Sequence, residues 1–221
     1  CTDKHIFGYE ALVRGPNNES AYSVISQVND ENRYTFDQLC RIKAISLAAK
    51  LKLDSILSIN FLPNAIYKPE RCIRTTLEAA KQYDFPVEQI MFEFTEVEKV
   101  EDSTHIKRVV EYYQSLGFIT ATDDFGSGYS GLNLLADFQS NIIKLDMELI
   151  RDIHLNKARQ IIVNHCIAMF EELNITALAE GIETVEEYQW LRQAGVSLMQ
   201  GYFFARPGFE SLPEVDFSKL G

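Results

Sequence analysis

The chain is poor in the residues that build covalent or soft-metal frameworks. Its four cysteines, Cys1, Cys40, Cys72 and Cys166, have no clustered spacing, so they read as reduced thiols of a cytosolic domain rather than a disulfide scaffold. Its four histidines, His5, His105, His154 and His165, show no ligand spacing and are assigned no role. No apolar run approaches membrane length and none reads as a signal peptide, so a cytoplasmic location is expected, with membrane anchoring left open for the full-length protein. Lys and Arg number 21 against 32 Asp and Glu, a net charge of −11, which argues against duplex nucleic acid or an anionic membrane as partner. The same deficit disfavours an anionic dinucleotide unless bound metals reverse the local field. No linker or repeat divides the 221 residues, and 46% hydrophobic content suffices for one substantial core, so residues 1–221 read as a single domain. An initiator Met is also missing, and the chain is expected to be a domain excised from a larger multidomain protein.

What the chain has instead is a series of short apolar runs that end in polar residues. FITATDDFGSGYSGL, Phe118 to Leu132, places Asp123 and Asp124 side by side before a glycine-rich loop. Adjacent carboxylates disfavour ionising together, and a divalent cation is the usual remedy. Asp-Asp-x-Gly also suits a solvated surface turn. The other runs favour the first reading. IFGYEALVRG carries Glu10, SILSINFLP carries Asn60, and QIMFEFTE carries Glu93 and Glu96. IIKLD carries Lys144, ITALAEGIE carries Glu180, and LMQGYFFARP carries Gln200. Short runs bounded by breakers suit strands buried on both faces. Polar residues repeated at the ends of seven such runs make a site.

The intervening segments read as helices. SAYSVISQV and TFDQLCRIKAISLAAKLK lie between the first two strands, the second with a Thr35–Gln38 capping box and an apolar stripe of Leu39, Ile42 and Ile45. STHIKRVVEYYQSLG has Ser103 as N-cap, Ile106, Val109, Val110 and Tyr113 on one face, and Gly117 as a stop. NKARQIIVNHCIAMFEEL follows Asp146, and TVEEYQWLRQAG opens with a box of Thr184 and Glu187. Strands alternating with amphipathic helices predict an α/β fold with a parallel sheet. Seven such units predict a closed, TIM-like (β/α) barrel, whose usual length is ~200 to 400 residues and whose active site lies at the carboxyl ends of the strands. Tyr9, Phe92, Phe94, Tyr202 and Phe203 are assigned to the core rather than to base stacking.

These blocks resemble the EAL-domain family of phosphodiesterases, which linearise the bacterial messenger cyclic di-guanylate (cyclic di-GMP). Glu10-Ala11-Leu12 with Arg14 gives the pattern E-A-L-x-R, and SINFLP, FEFTE, DDFGSGYSGL, KLD, AEGIET and QGYFFARP follow in the family's order over nearly the whole chain. The resemblance implies that Glu10, Asn60, Glu93 and Asp123 hold one metal, with Asp123 bridging to a second that Asp124 and Glu180 also serve. It implies that Lys144 and Gln200 face the attacking water and that Arg14 and Leu12 contact substrate. Glu96 is implied to steady the loop from Phe125 to Gly131, which in this family couples metal binding to dimer formation. Lys144, Glu180, Gln200 and Glu96 thus form the implied catalytic set. A homodimer, and an N-terminal sensor or GGDEF domain in the full-length protein, are implied as well. Family members usually carry a further short strand ahead of the segment that opens this sequence, so an irregular or antiparallel first strand is left open. Ser127 stands where Thr is frequent and Gly131 where Ser is frequent; neither change removes a ligand.

The residue chemistry agrees. Every implied ligand is an oxygen donor, which selects Mg²⁺ or Mn²⁺, two per site, over Zn²⁺. Glu10, Glu93, Asp123, Asp124 and Glu180 are offset in charge by two divalent cations and Lys144. Two metals roughly 3.5–4 Å apart would acidify a bridging water and clamp the phosphodiester. Ca²⁺, satisfied by looser geometry, is expected to bind and inhibit. Lys144 among carboxylates should stay an ammonium and orient the water rather than act as base. Simpler readings stand beside these: Glu180 and Glu183 as a dipole-favoured pair at a helix N-terminus, Arg14 as a surface ion pair, Gln200 as a satisfied buried amide, and Asp146 as structural. The expected function is metal-dependent hydrolysis of cyclic di-GMP to the linear dinucleotide pGpG. The alternative is a catalytically silent cyclic di-GMP receptor or protein-interaction module.

Overall fold

The seven apolar runs pair side by side in chain order. They form β1 (Gly8–Ala11), β2 (Ile56–Asn60), β3 (Ile90–Thr95), β4 (Ile119–Phe125), β5 (Ile142–Leu145), β6 (Thr176–Ala179) and β7 (Leu198–Met199), a sheet of order β1 to β7. The structure, a computed structural model, describes residues 5–62, 68–95, 103–128 and 131–220. Every neighbouring pair is parallel. β1 is no exception: it pairs with β2 from Gly8↔Ile56 to Ala11↔Ile59, so the irregular or antiparallel alternative is not what this strand adopts. Each strand leaves at the same end of the sheet because the next must return through a helix on the outer face.

The expected barrel is a curled sheet whose seam is made by side chains. Among the described residues no backbone pair joins β7 to β1. The sheet curls until Gln200 Nε2 donates to Glu10 Oε2 at 2.8 Å, and the Tyr9 hydroxyl donates to the Pro213 carbonyl at 3.1 Å.

Side chains alternate along a strand with period two, and this sorts the concave face into two storeys. Ile56, Met91, Ala121, Ile142, Leu178 and Leu198 form the lower, apolar storey, where the four central ones are buried together. Two residues further on come Ser58, Glu93, Asp123 and Lys144 on the strands, and Glu180 and Gln200 just past the ends of β6 and β7. A polar layer therefore rests on an apolar floor.

Helices α1 (Ala21–Ile25), α2 (Arg33–Lys50), α3 (Pro69–Cys72), α4 (Arg74–Gln82), α5 (Ser103–Ser115), α6 (Gly131–Asp137), α7 (Met147–Ile150), α8 (Lys157–Glu172) and α9 (Val185–Gln193) connect the strands. α2, α4 and α5 cover one half of the outer face, with Ile45, Phe92 and Val109 fully buried. α8 and α9 cover the other, burying Val163, Phe170 and Leu191. Ile106, Val109, Val110 and Tyr113 of α5 all face inward as their spacing predicts. Asn156 caps α8 by accepting from Ala158 and Arg159 N–H, and Thr184 with Glu187 forms the predicted capping box.

α2 departs from expectation. It begins at Arg33, with Asn32 at the cap position but bonded through its side chain to Asn29 and Gln27 rather than to the helix, so the Thr35–Gln38 box does not form. Of the expected stripe Ile45 is fully buried and Ile42 packs against the core, but Leu39 is 59% exposed, and the inner face also takes in Asp37, Gln38, Arg41, Ala44 and Ala48. The reason is a buried ion pair, Arg41 Nη2 to Asp37 Oδ2 at 2.7 Å. The guanidinium lies over the Phe92 and Phe61 rings and donates to the Tyr113 hydroxyl, while Asp37 Oδ1 accepts from Leu62 N–H at 3.1 Å. Ser103 is the first residue of α5 rather than its cap. Cys40, Cys72 and Cys166 are free thiols. No helix among the described residues is long and apolar enough to cross a membrane.

Candidate active site

Lys144 is the centre of the polar layer. It stands on β5 with 1% of its surface exposed, and a buried ammonium requires anionic partners. Glu180 Oε1 lies 2.7 Å from its Nζ, Glu93 Oε2 2.6 Å, Asp123 Oδ1 3.1 Å and Glu10 Oε2 3.9 Å. Burial alone would lower the pKa of Lys144. Glu93, Glu10, Glu180 and Asp123 outweigh it, so its pKa is raised and it stays an ammonium.

The carboxylates themselves are crowded. Burial pushes Glu180 up to about 9 and Glu93 up to about 7, against the pull of Lys144 and with help from neighbouring carboxylates. Burial and Asp123 push Asp124 up to about 6. One ammonium cannot offset five acidic groups.

β4 explains how Asp123 and Asp124 serve one site. Neighbours on a regular strand point to opposite faces. Here the pairing with β5 shifts register between Thr122 and Phe125, and Asp124 adopts φ 55°, left-handed backbone that an Asp tolerates better than most residues. Asp124 N–H donates to Asp123 Oδ1 at 2.9 Å, which fixes the kink. Asp123, Asp124 and Glu180 then each present an oxygen atom within 4.8 Å of the others.

Around this triad stand the remaining candidates. Asn60, at the end of β2, donates Nδ2 to Glu10 Oε1 at 2.7 Å, and Gln200 holds the other Glu10 oxygen. Gln200 thus meets Glu10 rather than an open space. Its own backbone is fixed by Ala179 and Ile182, at 2.8 and 3.1 Å. Ser58 is an addition that the sequence reading missed: its buried hydroxyl donates to Glu93 Oε1. Its place two residues before Asn60, on the same face of β2, is the signal that could have found it. Oxygen donors of this kind, with an unbalanced negative charge and no thiolate or imidazole, fit hard divalent cations such as Mg²⁺ or Mn²⁺.

The other predicted residues lie outside the layer. Leu12 is 42% exposed just beyond β1, and Arg14 donates Nη1 to the Val13 carbonyl at 2.7 Å. Glu96 lies outside the described residues, as does part of the loop between Phe125 and Gly131 that it was expected to steady. Asp146 caps α7 through Glu148 N–H, a structural role as expected. Glu183 pairs with Arg151 at 2.9 Å. Phe92 and Phe94 are core, but Tyr202 is not: it is about half exposed, with the Arg206 guanidinium 4.4 Å above its ring.

A family model described as EAL domain matches residues 1–207. The chain belongs to the EAL-domain family. The EAL domain is 72% identical to a standalone versatile EAL protein of Vibrio cholerae O395, solved in its c-di-GMP-bound form, with a TM-score of 0.95 over 98% of this chain and 91% of that one. It is 36% identical to Klebsiella pneumoniae BlrP1, solved as a calcium/cy-diGMP complex, with a TM-score of 0.90 over 96% of this chain and 54% of that one. Among curated relatives it is 32% identical to the blue light- and temperature-regulated antirepressor BluF of Escherichia coli, over 96% of this chain and 53% of BluF. It is 34% identical to the cyclic di-GMP phosphodiesterase PdeR of the same organism, over 64% of this chain and 21% of PdeR. The matched stretches therefore span about half the length of BluF and about a fifth of PdeR.

Proposed function

We propose that this EAL domain hydrolyses cyclic di-GMP to the linear dinucleotide pGpG with two divalent cations, Mg²⁺ or Mn²⁺, in its polar layer. One observation carries the reading: four carboxylates, those of Glu10, Glu93, Asp123 and Glu180, lie within 3.9 Å of a single buried ammonium at the carboxyl ends of the strands, with Asp124 clustered beside Asp123 and Glu180. An anionic phosphodiester could not enter that field without cations to reverse it. The name of PdeR and the dinucleotide in the relatives' structures support the same substrate.

Glu10, Asn60, Glu93 and Asp123 would hold one cation, and Asp123, Asp124 and Glu180 the other. Bound there, the cations supply a more acidic water and offset the charge of the phosphodiester. The chain's own residues do the rest. Lys144, kept protonated by its neighbours, orients the water and stabilises negative charge that develops on the phosphoryl oxygens. Gln200 and Asn60 each take one Glu10 oxygen and so fix the carboxylate's plane. Arg14 and Leu12 are assigned to substrate contact, and Glu96 to its loop.

The test is hydrolysis of cyclic di-GMP by the purified chain with Mg²⁺, Mn²⁺ or Ca²⁺, beside Asp123→Asn. Linear product is expected with Mg²⁺ or Mn²⁺, little with Ca²⁺, and none from Asp123→Asn. Saturable dinucleotide binding without any product would overturn hydrolysis in favour of a silent receptor.

A further inference from the structure

Glu187 is a heavily engaged acid outside the polar layer. Its side chain is fully buried near the start of α9, and a buried carboxylate persists only if donors replace its water. The donors come from two different loops. Glu183 and Thr184 N–H, on the loop after β6, donate to Oε2 at 2.9 and 3.1 Å. Asp152 N–H, on the segment after β5, donates to Oε1 at 2.9 Å. Arg151 reaches across the same gap, to Glu183 at 2.9 Å and towards Glu187 at 4.0 Å. A capping box needs only the first of these connections; the bond to Asp152 is extra.

The two loops begin at the residues that matter. The β5 segment starts two residues after Lys144, and the β6 loop starts at Glu180 itself. Gly181, with φ 68°, lets the β6 loop close on Met147: a Cβ there would collide with the Met147 side chain. We propose that Glu187 is a positioning residue that ties the loop after β6 to the segment after β5, and so holds Glu180 in register with Lys144 and Asp123 for cation binding. This rests on the proposed metal site and adds a residue that sets its affinity from outside it.

Glu187→Gln tests the tie with little change in shape. An amide has one acceptor oxygen, so it cannot take donors from both loops. Mn²⁺ affinity, measured by calorimetric titration of the whole chain, is expected to fall about ten-fold, as for lost outer partners of metal ligands. The loss of turnover should be recovered at high Mn²⁺, because every ligand remains. Thr184→Ala, which weakens the cap but leaves both loops tied, should keep Mn²⁺ affinity within about two-fold of the parent. Arg151→Ala, which cuts the outer strand of the tie without opening the interior, should show a smaller loss in the same direction as Glu187→Gln, and decides the matter should Glu187→Gln not fold. Unchanged Mn²⁺ affinity in Glu187→Gln, or in Arg151→Ala where Glu187→Gln does not fold, overturns the inference while leaving the proposed function intact. Equal losses in Glu187→Gln and Thr184→Ala reduce Glu187 to a helix cap and also overturn it. A parent that binds no Mn²⁺ overturns the proposed function, and the inference with it.

Discussion

Lys144 separates charge from proton transfer. Its neighbours keep it protonated, so a positive charge in place should be what the reaction uses. Lys144→Met is expected to lower the hydrolysis rate by about 100- to 1,000-fold, the usual cost of removing one stabilising donor. Lys144→Arg should retain much more of it. A pH–rate profile that required a deprotonated lysine would contradict this role. Glu187 makes a different pH prediction. Burial opposes its ionisation, but the N–H groups of Glu183, Asp152 and Thr184, with Arg151, hold its carboxyl below the usual range. Its stabilisation is therefore full above the unfolded carboxylate value and lost as pH falls through the lower native one. Urea unfolding between about pH 5 and pH 3 should show a steeper loss for the parent than for Glu187→Gln. Most of these single residues were legible in the sequence because each ends an apolar run. Asp124 was legible by type and not by geometry: alternation along a strand would turn it away from Asp123, and only the left-handed bend at that position brings it back. Ser58 was hidden because serine in a strand looks like filler until its partner, Glu93, is seen.

At the scale of elements, periodicity worked where an inner face was apolar and failed where it was not. α5 showed its buried face plainly. α2 did not, because its inner face is built around Asp37 and Arg41, residues that a hydrophobic pattern assigns to solvent. The contact between the β6 loop and β7 was equally invisible. Gly201 lies so close to Ile182 that an added Cβ would run into the Ile182 backbone nitrogen and oxygen. Those same atoms bond Gln200 O and Phe203 N–H, at 3.1 and 3.0 Å. Gly201→Ala is therefore expected to cost at least the ~1–3 kcal/mol typical of overpacking, with loss of activity beyond the loss of stability. Gly195→Ala is the comparison: at φ 96°, with open space around it, only the left-handed backbone is penalised, at about 1–2 kcal/mol. Equal costs by urea denaturation would contradict the close approach at Gly201.

For the whole molecule, the order of strands followed directly from seven runs separated by helices, since parallel neighbours need a crossover. How the ring closes could not be read that way. The link between β7 and β1 is made by Gln200 and Glu10, two side chains that a pattern of apolar residues does not connect. The surplus of buried acid is also a property of the whole chain, and it predicts that cations stabilise the fold. At a Mn²⁺ concentration 100 times the dissociation constant the gain is about 2.7 kcal/mol. That corresponds to a rise in melting temperature of about 5–10 °C for a domain of this size. Absence of any shift at millimolar Mn²⁺ in a thermal melt would remove the basis for a metal site. The apolar storey has its own effect on traffic. Met91, Ala121, Ile142 and Leu178 are buried together beneath the polar layer, so on the proposed function water, substrate and product would all pass the carboxyl ends of the strands. On that reading the product would leave along the route by which the next substrate arrives, and accumulated product would stand in its way.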